Sequence, residues 1–265
     1  MNILDCITYF DEETIINLRF NILYEHVTKF IVCEGAYDHR GNKRDLNFDI
    51  SKFKEFKDKI IYLPVTDFPN LKDPWAMLRY QRDKAYQIIQ DYEDNSFVMV
   101  SDVDEIPNPK KINEFLKKNK KIGVFKQLLF YYKLNMLNTT NNFWYGTKIC
   151  KKKNLQSPDW LRGYKIKTYP WWRLDKYPRP YIIEDGGWHF SFLYDTDGII
   201  KKVSSFQHTE FETDKIKNKE YIENKIKNGE DIFNRNYKFQ SIKIDSRFPE
   251  YIQNHKTKYT KWIVD

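Results

Sequence analysis

Three acids fall within four residues at Asp102, Asp104 and Glu105, directly after the apolar run Phe97-Val98-Met99-Val100. Acids that close repel one another unless a cation sits among them. A strand ending in two alternate carboxylates offers the oxygen ligands that Mg²⁺ and Mn²⁺ take, and such an ion can also bridge a diphosphate. Bound there, it neutralises charge that builds on a leaving group. A solvated acidic turn is the other reading of these residues. A phosphatase also uses an Asp-x-Asp at a strand end, but it requires Thr or Ser soon afterwards, and Glu105-Ile106-Pro107 stands there instead.

Arg82 is a second candidate. Trp75, Leu78, Arg82, Ala85, Ile89 and Tyr92 recur at helical spacing, and Arg82 is the only charge in that row. A charge on an apolar face must pair or reach a ligand. Its planar fork suits phosphate or carboxylate, and Gln81 is its neighbour; the alternatives are a structural acid or a side chain reaching to the surface. A third group is Glu184-Asp185-Gly186-Gly187-Trp188-His189. Its glycines permit close backbone approach or positive φ. Trp188 is a candidate sugar platform and His189 a candidate metal ligand. His208 and Glu210 form a further polar cluster.

Positioning these residues requires a sheet. The first part alternates strand and helix patterns, which predicts a parallel α/β arrangement. Strands are expected at 3–7, 30–33, 60–65 and 97–100, with helices over 11–27 and 74–92, the latter opened by Pro74 in its first turn. In open α/β sheets, ligands bind at the carboxyl ends of the strands, where Asp102 and Asp104 stand. The second part, from 123 to 150, reads as strand-like and aromatic. Residues 154–181 read as irregular, 182–192 as two short strands around the glycines, and 198–206 and 215–227 as helices. The expected division is a nucleotide-sugar-binding half, 1–122, and an acceptor-binding half, 123–265, within one domain.

Composition bounds the alternatives. The 265 residues are 17% aromatic and carry a formal charge of +8, which favours anionic partners such as nucleotides. Three widely spaced cysteines with no CxxC argue against a disulfide framework or a zinc knuckle and fit a reducing compartment. No apolar run approaches the roughly 20 residues of a membrane span, and the first residues lack a basic leader; a soluble cytoplasmic protein is expected. A non-catalytic module binding glycan or nucleic acid would explain the aromatics and the charge. It would not explain the acids at a strand end, and it would show strongly salt-dependent binding without turnover.

The ordered set of motifs resembles glycosyltransferase family 17, which includes the β-1,4-mannosyl-glycoprotein β-1,4-N-acetylglucosaminyltransferases. The set comprises Asp5-Cys6-Ile7-Thr8-Tyr9-Phe10 with Glu12-Glu13, Phe30-Ile31-Val32-Cys33-Glu34, and Asp67-Phe68-Pro69 with Asp73-Pro74-Trp75. It continues with Gln81-Arg82-Asp83, Ser101 through Pro107, Gly187-Trp188-His189-Phe190-Ser191, and Pro249-Glu250-Tyr251-Ile252. The resemblance implies a GT-A type fold with a DxD metal site. It also implies an inverting enzyme that uses a UDP-sugar, typically UDP-N-acetylglucosamine, with Mn²⁺ or Mg²⁺ and a glycan or glycoconjugate acceptor. Without the membrane stem of animal Golgi members, the chain is similar to the compact bacterial or viral branch.

On this basis Thr8, Phe10 and Glu34 are expected to frame the nucleoside, with Gln81 close by. Arg82 and Arg162 are expected at the diphosphate. Asp104 would hold the metal, Asp102 the metal or ribose, and His189 would be a further ligand. Aromatics of the second half, Trp188 among them, would bind the acceptor. An inverting transfer needs a base for the acceptor hydroxyl; Asp185 is the first candidate and Glu210 the second.

Overall fold

The structure is a computed structural model that describes the chain except residues 39, 70–72, 169, 171, 174–176, 206–212 and 265. Strands β1 (Ile3–Tyr9), β2 (Lys29–Gly35) and β3 (Ile60–Val65) are linked through helix α1 (Glu13–Leu23) and a 3₁₀ stretch at Ile50–Lys59. Helices α2 (Pro74–Asp83) and α3 (Tyr86–Ile89) lead into β4 (Phe97–Asp102). Asp73 caps α2 through the amides of Trp75 and Ala76, and Pro74 takes the first-turn position. The helix expected over 74–92 is thus two pieces, broken at Lys84-Ala85.

Next come β5 (Glu105–Pro107), α4 (Pro109–Leu116), β6 (Ile122–Tyr131), β7 (Met136–Asn138), β8 (Phe143–Lys151) and α5 (Pro158–Arg162). The chain closes with β9 (Tyr181–Ile183), β10 (Gly187–Ser191), α6 (Thr196–Ser205), α7 (Lys219–Lys227), β11 (Phe239–Ser241) and α8 (Glu250–Asn254). Where an irregular stretch is expected at 154–181, the short helix α5 forms, capped by Ser157 on Trp160.

One sheet spans both halves, in the order β11-β7-β6-β8-β4-β1-β2-β3, with β10 beside β6 and β5 beside β10. Strands β1 to β4 are mutually parallel, and β8 runs antiparallel between β4 and β6. β6 and β10 therefore point the same way as β4, and the ends of β1, β2, β4, β6 and β10 share one edge.

Alternation decides which face each side chain serves. Ile3 and Ile7 of β1, with Phe97 and Met99 of β4, pack beneath α1 against Phe20 and Phe30. Leu4, Cys6, Val98 and Val100 face the other side, against Ala85, Ile89 and Leu161. The same rule puts Asp5 and Ser101 on the α1 face and Asp102 on the face of α2 and α5. Cys6, Cys33 and Cys150 are free thiols that fill this second core layer. Among the described residues, no helix is long and apolar enough to cross a membrane.

Candidate active site

A cavity of about 370 Å³ opens at the shared edge of the strands. Thr8, Phe10, Gly35 and Gln81 line it from the β1 and β2 side, and Asp102, Asp104 and Glu105 from the end of β4. Trp144, His189, Ser191 and Lys202 line it from the second half.

The loop that carries the acids is clamped from below by Arg19 of α1. This fully buried guanidinium bonds both oxygens of Asp5, at 2.6 and 2.7 Å, and the Ser101 hydroxyl at 2.8 Å. It also donates to the backbone carbonyls of Asp102, Val103 and Glu105. Asp104 is then tied to β10, because its carbonyl accepts from the Phe190 amide at 2.9 Å. His189 pairs with Glu105 in the β10–β5 register. These backbone contacts bring His189 Nε2 to 3.5 Å from Asp104 Oδ1.

Gly187 makes that register available. Its φ of +125° and the 2.2 Å that would separate a Cβ from the Ile106 carbonyl exclude any side chain.

Asp102 sits between two arginines. Arg82 reaches Oδ1 at 3.2 Å and Arg162 reaches Oδ2 at 2.9 Å. Arg82 also bonds Asp159 at 2.6 Å, and Arg162 bonds Glu105 at 2.6 Å. Burial alone would raise the Asp102 pKa; the Arg162 and Arg82 guanidiniums overcome it and hold the carboxyl well below the usual range. An Asp engaged on both oxygens is a poor phosphatase nucleophile. The two arginines expected at the diphosphate stand instead behind Asp102 and do not line the cavity.

Glu105 is pushed up by burial despite Arg162, and its Oε1 also accepts from Trp144 Nε1 at 2.6 Å. For Asp104, burial works upward, but the Lys202 ammonium and the His189 ring bring the pKa below its ordinary value. Burial lowers the His189 pKa and the neighbouring carboxylates, Asp104 foremost, raise it, with a net rise.

Three expectations need correction. Glu34 is fully buried, accepts from the amides of Asn47 and Phe48, the Tyr62 hydroxyl and Arg44, and does not line the cavity. Trp188 is buried in the core and bonds the Arg247 carbonyl at 2.7 Å. Neighbours on a strand face opposite ways, so with His189 at the cavity Trp188 cannot be. Asp185 occupies an exposed turn at φ +50°, its carbonyl accepting from Asn108, and does not line the cavity. His208 and Glu210 lie outside the described residues.

Several contributors escape a reading of local pattern. Arg44 stacks on Phe10, 4.2 Å from the ring centroid, and donates to the Gly35 carbonyl at 2.9 Å. Glu12 accepts from the amides of Phe10 and Asp11, which shapes the turn after β1. Trp144, 39% exposed, lies 5.3 Å from the His189 ring. The phase of β8 could have indicated Trp144; Arg44 and Glu12 depend on contacts that spacing does not encode.

Among the described residues, no three His, Cys, Asp or Glu side chains form a ready metal cage. Asp104 and His189 are nevertheless two suitable donors on one cavity wall. Mg²⁺-type ions are commonly bound through one or two carboxylates, with waters and substrate phosphates completing the shell, and Asp104 supplies such a carboxylate. The donor set therefore fits such an ion.

No curated protein matches the chain. Among solved structures it is similar to the crystal structure of S. aureus TarS 1–349, with 14% identity and a TM-score of 0.36 over 57% of this chain and 47% of that one. The chain thus spans less than half of that chain's length. The family description Glycosyltransferase family 17 matches residues 1–247, nearly the whole sequence. The chain belongs to glycosyltransferase family 17.

Proposed function

We propose that this family member is a glycosyltransferase that moves N-acetylglucosamine from a UDP-sugar to a hydroxyl of a glycan or other carbohydrate acceptor, with inversion and with a divalent metal, on a GT-A type fold. The observation that carries the reading is the meeting of Asp104 and His189 at 3.5 Å in a cavity that the ends of β1 and β2 also line. UDP and N-acetylglucosamine are carried over from the resemblance to the family.

In this reading Asp104 and His189 hold Mn²⁺ or Mg²⁺. The bound ion supplies positive charge for the departing diphosphate. Thr8, Phe10, Gln81 and Arg44 frame the nucleoside. Asp102, fixed by two arginines, keeps lone pairs for a ribose hydroxyl, since an ionised carboxylate offers about four acceptor sites. Residues 1–122 serve the donor, and 123–265 serve the acceptor while also sending His189 to the donor's metal, with Trp144 as the platform in place of Trp188. Glu210 is the proposed base. It follows Ser205, a cavity residue, by five positions.

The test is UDP release from a panel of sugar nucleotides, with Mn²⁺ and with EDTA. UDP-N-acetylglucosamine should turn over fastest, only with metal, and Asp104→Asn should lose Mn²⁺-dependent UDP binding by calorimetry. A preference for a GDP- or CMP-sugar would overturn the donor assignment. Full turnover in EDTA would overturn the metal.

A further inference from the structure

Lys202 of α6 reaches into the cavity beside the acids. Its ammonium is 3.5 Å from Asp104 Oδ2 and 3.8 Å from Glu12 Oε1. His189 takes the other oxygen of Asp104. A carboxylate suited to a divalent ion therefore already has a cation of the protein's own upon it.

The neighbouring basic groups are engaged differently. Arg82 and Arg162 bond Asp102, Asp159 and Glu105 and stay out of the cavity lining. Arg44 is held by Glu34 and the Gly35 carbonyl, and Arg235 grips both oxygens of Asp231 at 2.8 and 2.9 Å. Lys202 differs: both its carboxylate contacts exceed the roughly 2.7–2.9 Å of a direct charge-assisted hydrogen bond, and its ammonium otherwise lies over the Tyr194 and Phe192 rings, 5.2 and 5.5 Å from their centroids. Its helix is anchored on either side of it: Lys201 pairs with Asp11, and the Val203 carbonyl accepts from Arg40 at 3.0 Å. A fixed helix thus presents a flexible stem whose ammonium can redirect its donors.

We propose that Lys202 is the cation that meets the nucleoside diphosphate of the donor, and that it competes with the divalent ion for Asp104. The proposal rests on the sugar-nucleotide reading above. A diphosphate carries more charge than a single carboxylate and offers oxygens to all three ammonium protons. When it enters, Lys202 turns from Asp104 to the phosphate, and Asp104 is left to the metal with His189. Two consequences follow: the site grips UDP without metal, and Lys202 weakens the binding of metal in the absence of nucleotide.

The experiment is calorimetric titration of UDP, and separately of Mn²⁺ alone, into the wild-type chain and Lys202→Met, with melting temperature as the check on folding. The wild type should bind UDP in EDTA. Lys202→Met should bind it roughly ten- to a hundredfold more weakly there, the loss of one charged hydrogen-bond donor, and should bind Mn²⁺ alone more tightly than the wild type. Lys202→Arg should restore most of the UDP affinity in EDTA. Equal UDP affinities in EDTA for wild type and a folded Lys202→Met overturn the proposal and leave Lys202 as a counterion of Asp104. If the wild type binds UDP only with Mn²⁺, the proposal also falls, while the sugar-nucleotide reading stands. If it binds UDP in neither condition, the reading and the proposal fall together. Should Lys202→Met not fold, reductive methylation of the wild type in EDTA decides: UDP must shield Lys202, and an unshielded amine overturns the proposal.

Discussion

Arg19 and Asp5 meet in a two-pronged ion pair, Nη2–Oδ1 at 2.6 Å and Nε–Oδ2 at 2.7 Å, and neither side chain has any exposed surface. Asp5 belongs to β1 and Arg19 to α1, so the pair joins the first strand to the first helix. The rest of the guanidinium holds Ser101 and the carbonyls of residues 102, 103 and 105. Foundation and active-site loop therefore share one side chain. Removing one partner of a buried pair leaves the other charge uncompensated and costs about 3–5 kcal/mol. Arg19→Met should lose that much by denaturant unfolding. The double variant Arg19→Met/Asp5→Leu should recover much of the stability, since apolar replacement of both partners is often neutral. It should not recover Mn²⁺-dependent UDP binding, because the carbonyls of the loop stay unclamped. A loss below about 1 kcal/mol in Arg19→Met would remove this account.

Parts of this architecture are legible in the sequence and parts are not. The strand ends at Thr8, Gly35 and Asp102 follow from short apolar runs alternating with helical stripes, and the sheet's shared edge follows from their parallel order. Arg19 could have been found by the argument that singles out Arg82, because it interrupts the apolar row Ile15, Ile16, Leu18, Phe20. Trp188 illustrates a signal present but outweighed. Strand alternation separates it from His189, whereas sugar-binding chemistry suggests placing both at the site. Glu34 was beyond reach, since its partners at 44, 47, 48 and 62 converge only through tertiary folding. Helix α5 is too short to show a period, although Ser157-Pro158 carries the cap and first-turn signals.

Lys148 supplies a pH signature. It is buried, with its ammonium on the Tyr164 carbonyl at 2.9 Å and on the carbonyl of Arg162. Burial first, and the Arg162 charge second, bring its pKa from the ordinary 10.5 down to about 8. The unfolded chain then binds the proton more tightly than the folded one. Below pH 8 both states are charged and burial of the charge opposes folding; between about pH 8 and 10.5 the folded state loses its proton first and gains stability. Relative to Lys148→Met, the wild type should gain up to roughly 3 kcal/mol across that window, at about 1.36 kcal/mol per unit. Urea unfolding of both proteins at pH 7, 8, 9 and 10 measures the difference. A constant gap would show that Lys148 does not titrate early.

Trp144 lines the cavity and is the proposed platform for a sugar. Its indole N–H is pinned on Glu105 at 2.6 Å, its ring lies 5.3 Å from His189, and 39% of its surface remains open. Tyr145, 43% exposed, points to the other face of β8 and does not line the cavity. Trp144→Ala should raise KM for the acceptor by about tenfold or more, given stacking worth ~0.5–1.5 kcal/mol beyond its buried area. UDP affinity should stay within a few-fold of wild type, and Tyr145→Ala should change neither. A fall in UDP affinity with acceptor KM unchanged would move Trp144 to the donor side.

The catalytic base separates two carboxylates that the sequence puts forward together. Asp185 sits in an exposed turn; its charge acts on Lys111 and Lys126, which do not line the cavity. At φ +50° it takes a conformation that Asp tolerates better than most residues. Asp185→Asn should therefore leave turnover within a few-fold of wild type. The described acids at the cavity have other engagements. Glu12 holds two backbone amides, Asp102 two arginines, Asp104 is assigned to the metal, and Glu105 holds Arg162 and Trp144. A lost general base costs about 10²–10⁴ in rate. Glu210→Gln should show a loss of that size in kcat, with UDP affinity by calorimetry unchanged. If Glu210→Gln turns over normally and Glu105→Gln does not, the base is the third acid of the strand end, and Arg162 must then release it when the acceptor binds.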